Sequence, residues 1–545
     1  MTEARPRWDG ISRGHDPASG RFVPCGLRRR RCRTLTDVKS ATRTAALLSG
    51  AVVMLVSPFV AMKAMSDPAD PRVSVGAAPA STLVPGDIRD GTGRMIAGAV
   101  WTGLVAYDPR TGVPANAAAE AITSDDRKVW TVKLKPGRFH DGSPVSARSF
   151  TGAWSAVLRE GWSGARLFTE VAHVKGAKVK QERVDGLTVV DDLTFKVTLD
   201  RPMNGFPALL GDPAFLPMPD GVLRSRDWAS YGKRPIGNGP YRVRAHDQRE
   251  TVLDRDGART IVVKAMPDAA AQYKAVQAGD LDLATAVPPN RHESMEADFR
   301  RRHLIVPGRA MTYLAFPQWE KRFTNPSIRQ AMSMAIDRNA VSEGPLGYQT
   351  SPANALVPPG VLPGRRDEGQ CRPCVHDPAA SAATLADAGG LTGPVPIWYE
   401  AGAGDDAWLK AVAEQLRKTL KLDVQPKPTE DLQKALADRT VDGPFVLKAA
   451  PAYPAPIAAL TPLLDARTGY GDDYTLDLIG DAERAATPED AVTPARLAET
   501  ALLRDMPAMP LWTNHDHLVW SERLQGVTAD AFTGVRLDRL TIKDS

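Results

Sequence analysis

The segment "VWTVKL", Val129–Leu134, alternates apolar and polar residues as a half-buried strand does. Pro136-Gly137 and Asp141-Gly142 then mark turns. Ser146 is placed to cap a helix over "ARSFTGAWSAVL", where Phe150, Trp154 and Leu158 recur every four residues. "LTVVDDLTFKVTL" reads as a hairpin turning at Asp191-Asp192. "PDAAAQYKAVQAGDLDLATAV" gives a helix stopped by Gly279, then an alternating strand. In "NPSIRQAMSMAIDRNAV", Asn325 is the N-cap and Pro326 takes the first helical position. Ile328, Met332, Ala335 and Ile336 form the stripe that this helix turns to the core. Asp377-Pro378 opens a shorter helix that closes at Gly389-Gly390.

The most informative pattern lies between Pro394 and Pro426. "VPIWYEAG" predicts a strand, "DDAWLKAVAEQLRKTL" an amphipathic helix and "KLDVQP" a second strand. Strand, helix, strand at this length is a βαβ unit with parallel strands, and such sheets bind ligands beyond the carboxyl ends of their strands. Here that edge is Tyr399 to Gly404. "TPARLAETALLRDM", capped by Thr493, predicts a late helix, and "MPLWTNHDHLVW" a strand after it.

One stretch is of a different kind. "AALLSGAVVMLVSPFVAM", Ala45–Met62, is apolar over 18 residues, which at about 1.5 Å each reach about 27 Å, just enough to cross a bilayer core. Residues 1–44 carry 11 Lys and Arg against 4 Asp and Glu, a charge of +7 that leaves −2 on the rest of a +5 chain. The positive-inside rule then makes 1–44 a basic cytoplasmic leader, 45–65 a membrane anchor or signal segment, and the body extracytoplasmic. An uncleaved anchor is the favoured form, because the n-region is long and Ala61-Met62-Lys63-Ala64 is a poor cleavage site. "SDPADPRVSVGAAPASTLVPG", residues 66–86, reads as a linker between membrane and body. A body without net positive charge has no nucleic-acid footprint. Of the four cysteines, Cys25 and Cys32 fall in the leader, whereas Cys371 and Cys374 lie in the exported part and can close a small disulfide.

Candidate chemistry is sparse. "FHDGSPVSARSF" sets His140, Asp141 and Ser143 close together, but sequence nearness does not build a triad, and the turn residues account for the pattern. No Walker A, G-x-S-x-G, H-E-x-x-H or dinucleotide-binding glycine signature occurs. His515 and His517 share a strand face, as a metal pair requires, but no third ligand lies nearby in sequence. These observations argue against an enzyme and assign no catalytic residue, metal or cofactor.

The order of segments resembles the extracellular solute-binding proteins of family 5, the peptide- and nickel-type receptors of ABC importers, from about Leu83 to Leu540. Eight stretches carry it: "WTGLVAYDPRTG", "VWTVKLKPGRFHDGSPVSARSFTGAW", "DGLTVVDDLTFKVTL", "PIGNGPYRV", "YKAVQAGDLDLA", "NPSIRQAMSMAIDRNAV", "DPAASAATLADAGG" and "LLRDMPAMPLW". The resemblance implies an α/β, two-lobed, periplasmic-binding-protein-like fold of class II type, with an extra domain on the first lobe. Lobe I is expected at 87–118 with 226–310 and 506–545, the extra domain at 119–225 and lobe II at 311–505. The crossings between lobes are expected near Val306–Tyr313 and Arg504–Leu511. "FHDG" is then a structural turn.

In this family an aspartate in a W-x-A-D-Y-type motif pairs with the ligand's amino terminus. The equivalent stretch, "AAPAYPAP" (Ala449–Pro456), keeps Tyr453 and Pro454 but has Ala449 at the tryptophan position and Ala452 at the aspartate position. An ammonium buried without a counter-charge costs several kcal/mol, so either Glu400 or Glu430 compensates or the ligand lacks that amine. Lys448 is a candidate to face an anionic group, and Ala450, Ala452 and Tyr453 complete the implied ligand-facing set. The expectation is a monomeric, membrane-tethered receptor that binds a small molecule or peptide and delivers it to an ABC permease. The alternative is an envelope sensor or interaction module on the same fold.

Overall fold

The computed structural model describes residues 72–543 apart from residue 110, residues 362–370 and residues 465–467. The expected leader, the anchor with Cys25 and Cys32 before it, and the start of the linker lie outside the described residues. Among the described residues no helix is long and apolar enough to cross a membrane.

The chain begins its visible course inside the stretch expected to be linker. Val73–Ala77 form strand β1, with Val73, Val75 and Ala77 buried. Leu83 and Val84 are buried as well. The linker reading is therefore corrected from residue 73 onward: five strand residues between Pro-, Ala- and Ser-rich flanks are too few for alternation to stand out. Helix α1 (Gly91–Val100) follows, and a separate four-stranded sheet is built from β2 (Ala119–Thr123), β3 (Val129–Leu134), β4 (Leu187–Val189) and β5 (Thr194–Thr198) in the order β2-β3-β5-β4. Helix α2 (Ala147–Glu160) packs on it, opened by a capping box in which Ser146 and Ser149 satisfy each other's backbone. Trp154 of α2 stands edge-on to Phe195 of β5 at 5.5 Å and to Phe215 at 5.2 Å.

Ten further strands join β1 in one eleven-stranded sheet. They are β6 (Arg242–His246), β7 (Glu250–Asp254), β8 (Ile261–Ala265), β9 (Leu283–Ala284), β10 (His303–Ala315), β11 (Thr350–Pro352), β12 (Val395–Glu400), β13 (Val424–Thr429), β14 (Phe445–Ala449) and β15 (Ala508–Trp520). The order is β13-β12-β14-β10-β15-β9-β1-β8-β7-β6, with β11 paired onto β15. β12 and β13 run parallel with the helix Asp406–Leu420 between them, the βαβ unit read from the pattern. The hairpin at Asp191-Asp192, the stop at Gly279 and the cap at Asn325 also form as expected. Thr493, by contrast, sits inside the first turn of its helix (Val492–Asp505), which begins one residue earlier with Ala491 at the cap.

The two thirteen-residue strands, β10 and β15, hold the sheet together. His303–Pro307 pair with His515–Val519, beside β9, whereas Met311–Ala315 pair with Ala508–Thr513, beside β14. Their register shifts between Pro307 and Met311. The first expected crossing coincides with this break. On β15 the break lies opposite Thr513–His515, a few residues beyond Arg504–Leu511, where pairing with β10 is already established. The β9 side is tied by Asp282, whose buried carboxylate accepts from Ser74, Ser521 and Arg523. Burial opposes ionisation there, but the Arg523 and Ser74 hydrogen bonds outweigh it and hold that carboxyl below the usual range.

Candidate ligand-binding site

The carboxyl ends of β12, β13 and β14 place Glu400, Glu430 and Lys448 along one edge of the sheet. Glu400 accepts a hydrogen bond from the Leu432 amide at 2.9 Å, at the start of a short helix (Leu432–Ala437). Lys448 forms an ion pair at 2.8 Å with Asp405, a nearly buried carboxylate that also accepts from the Trp408 indole. Both side chains thus serve contacts within their own half of the sheet. Glu430 is exposed.

The loop after β14 leaves that half. Ala450 is exposed and Ala452 half-buried, while Tyr453 is buried with its ring against the backbone of Gly205. A Cβ at residue 205 would lie 2.3 Å from that ring, so only glycine admits the contact. Burial raises the Tyr453 hydroxyl pKa, and the neighbouring Glu483 carboxylate adds to the shift. Beside it, Asn204 donates from its amide to the Glu483 carbonyl and from its side chain to the Thr487 carbonyl, both at 2.8 Å. Arg127 reaches the Ala486 carbonyl at 3.1 Å.

Residues 127 and 204–205 come from the part of the chain that carries the separate sheet, so the loop, the end of helix Asp473–Arg484 and that part meet face to face. Pro451 makes the other contact: its carbonyl accepts from Arg309 at 2.7 Å. Around Arg309 lie the Phe532 ring, 5.2 Å from its guanidinium, and Tyr107, whose ring is 5.3 Å from Phe532 and whose hydroxyl donates to the Ala208 carbonyl. Arg94 forms an ion pair with Asp212 at 2.7 Å nearby. A crevice opens here, lined among others by Arg94, Trp101, Tyr107, Thr533 and Arg536.

Sequence reasoning missed Arg309, Tyr107 and Phe532. The available signal was a lone arginine in "VPGRAMTYLAF", a strand otherwise apolar after its Pro-Gly break.

The rejected constellations have plain structural roles. Asp141 accepts from the amide and hydroxyl of Ser143, at 2.9 and 2.6 Å, which closes the turn. His140 points elsewhere, its Nε2 2.9 Å from the Gly239 carbonyl and its amide bonded to the Gly237 carbonyl. "FHDG" therefore clasps the "GNG" segment. Cys371 and Cys374 are joined in a disulfide. His515 and His517 do lie side by side, ring centres 6.1 Å apart, with His292 5.0 Å from His517 and stacked on Tyr348. Among the described residues no three or more His, Cys, Asp or Glu side chains are grouped to hold a metal ion.

The model of the bacterial extracellular solute-binding proteins, family 5 (middle), matches residues 113–470. The chain belongs to this family. It is 25 % identical over 438 residues to the dipeptide-binding protein DppE of Bacillus subtilis, covering 74 % of this chain and 79 % of that one. It is 26 % identical over 423 residues to the periplasmic murein peptide-binding protein MppA of Escherichia coli, covering 71 % and 78 %. These relatives are binding proteins, not enzymes. Among solved structures, the unliganded open form of MppA superposes with a TM-score of 0.74 at 21 % identity, covering 87 % of this chain and 97 % of that one. Haemophilus influenzae OppA in complex with the peptide RPPGFSPFR superposes with 0.65 at 18 % identity, covering 88 % and 100 %. The family-5 chain thus has the two-lobed fold of the periplasmic binding proteins.

Proposed function

We propose that this family-5 protein is the membrane-tethered receptor of an ABC importer and clamps a peptide-like solute between its lobes outside the cytoplasm. The single observation that supports this most is the break in the β10–β15 pair, a narrow place between two well-packed half-sheets about which one can swing on the other. Closure is driven only by what the solute gains in the closed form over the open one. A peptide backbone meets this need through strand-like hydrogen bonds that ignore side-chain identity. The names of the relatives support a peptide, and the apolar run at residues 45–62 supports the tether. Lobe boundaries follow the sequence division, with residues 73–86 added to lobe I.

The test is thermal unfolding of the purified protein against dipeptides, a murein tripeptide, glutathione, polyamines and glycans. A true ligand at 100 times its Kd adds about 2.7 kcal/mol of stability, so at least one peptide should raise Tm clearly. A flat response to every peptide contradicts the reading. Cross-linking in cells should capture a permease; capture of envelope-synthesis proteins alone would favour the sensor alternative.

A further inference from the structure

We propose that the basic rim beside the entry of the chain into the body is a docking face for anionic phospholipid, on which the tethered receptor lies. This rests on the membrane tether of the proposed function and adds the surface that meets the bilayer.

Three consecutive arginines, Arg300, Arg301 and Arg302, turn the chain from the short helix Met295–Phe299 into β10. The backbone fixes this turn: the Arg300 amide donates to the Glu296 carbonyl at 2.7 Å and the Arg302 amide to the Phe299 carbonyl at 3.0 Å. Lys543 reaches the same hollow from the pairing of Leu524–Gln525 with Thr541–Ile542, and its amide donates to the Arg523 carbonyl at 2.8 Å. An adjoining hollow shares Phe299, Arg302 and Glu522 and adds Arg523. Arg523 in turn donates to the Arg72 carbonyl at 2.9 Å. The basic rim therefore adjoins the first described residue of the chain.

The acids of the rim are already engaged. Glu522 pairs with Arg302 at 3.4 Å, Glu296 faces His303 at 3.6 Å, and Asp282 holds Arg523 at 2.6 Å. Among the described residues no carboxylate comes within ion-pair distance of Arg300, Arg301 or Lys543, all three exposed. Three such cations on one rim contrast with a chain whose residues beyond the leader sum to −2.

Position selects the occupant. Met62, the end of the apolar run, stands ten residues before Arg72, a span of at most about 35 Å. A body of about 470 residues has a radius of gyration of about 23 Å and is wider than that reach. The tether therefore cannot carry Arg72 to the side of the body away from the bilayer. Each Lys or Arg at an anionic lipid surface raises the docked population about fivefold, and the tether supplies the local concentration at which such weak contacts count.

The competing role is a merely solvated rim. To separate the two, the full chain, with Cys25 and Cys32 replaced by serine, carries a fluorophore at Ala297→Cys, an exposed position on the helix beside the rim. It is reconstituted into vesicles of phosphatidylcholine alone or mixed equally with phosphatidylglycerol, and energy transfer to a headgroup acceptor reads how near the rim lies. Docking predicts high transfer on the mixed vesicles only, falling to the phosphatidylcholine level in about 1 M salt, where the Debye length is about 3 Å. Arg300→Gln, Arg301→Gln and Lys543→Gln together should cut the ratio of docked to undocked receptor on the order of 100-fold. The unfolding midpoint should stay unchanged, since all three side chains are exposed. Equal transfer on the two vesicles, or in the triple variant and its parent, overturns the docking face and leaves these cations to water or to an acidic protein. Flotation with phosphatidylcholine vesicles in high salt checks the tether separately. If the chain does not float, the tether fails first and takes the docking face with it.

Discussion

Arg338 shows how this fold handles a charge in its interior. Almost fully buried, it donates to the carbonyls of Pro510, Ser333, Ile336 and Cys374 and to the Ser333 hydroxyl. One side chain thereby joins β15, the end of helix Pro326–Met334 and the disulfide segment. Burial pushes its pKa down to about 10 without neutralising it. Each buried acceptor left unpaired costs about 1–3 kcal/mol, so Arg338→Met should lower unfolding stability by at least about 3 kcal/mol, read as a fall in the urea midpoint. A change below about 1 kcal/mol would mean that water replaces the guanidinium. His517 gives a pH-dependent counterpart. Burial first, then the charges of His292 and His515, lowers its pKa from 6.5 to about 4. The folded protein keeps this imidazole neutral, so the unfolded chain takes up the proton first. The stabilisation is complete above about pH 6.5, is lost as the pH falls towards 4, and amounts to at most about 3 kcal/mol. Tm should fall over that window, and His517→Gln should flatten the fall; an unchanged slope would show that His517 protonates freely in the fold.

At the scale of elements, the place where the long strands break is held by close backbone packing. A Cβ at Gly360 would lie 2.4 Å from the Pro307 carbonyl oxygen and 2.5 Å from that of Gly308, neither of which a rotamer change can move. Gly360→Ala should destabilise by about 1–3 kcal/mol, the usual range for overpacking, and chemical denaturation measures it. A neutral substitution would show that the segment slides. Legibility in the sequence follows the same physics. Periodic segments with caps and stops, such as Asn325-Pro326, Gly279 and the βαβ unit, announce themselves because local chemistry decides them. β1 did not: its five residues become a strand only by lying between β8 and β9, partners some two hundred residues away. Thr493 was misplaced by two residues for the ordinary reason that a helix start with no side-chain cap bond leaves no sharp mark. Near the proposed site, Tyr453 was singled out from its motif. Arg309 was not, since its meaning comes from Pro451 and Phe532, which the fold brings to it from far along the chain.

For the whole molecule, the proposed function requires motion of one lobe against the other about β10 and β15, near the contacts that the 449–453 loop makes with Arg309 and with the 204–205 turn. Exposed positions on the two sides are available for distance measurement: Val190 beyond β4, and Tyr474 at the start of helix Asp473–Arg484, each 54 % exposed. With Cys25 and Cys32 replaced by serine and the Cys371–Cys374 disulfide intact, spin labels at Val190→Cys and Tyr474→Cys report the separation of the lobes by electron double resonance. The deciding measurement is that distance distribution with and without the peptide that raises Tm most. We expect a second, displaced population that grows with peptide and saturates with the binding curve. A distribution identical in the free and fully bound protein would contradict the clamp.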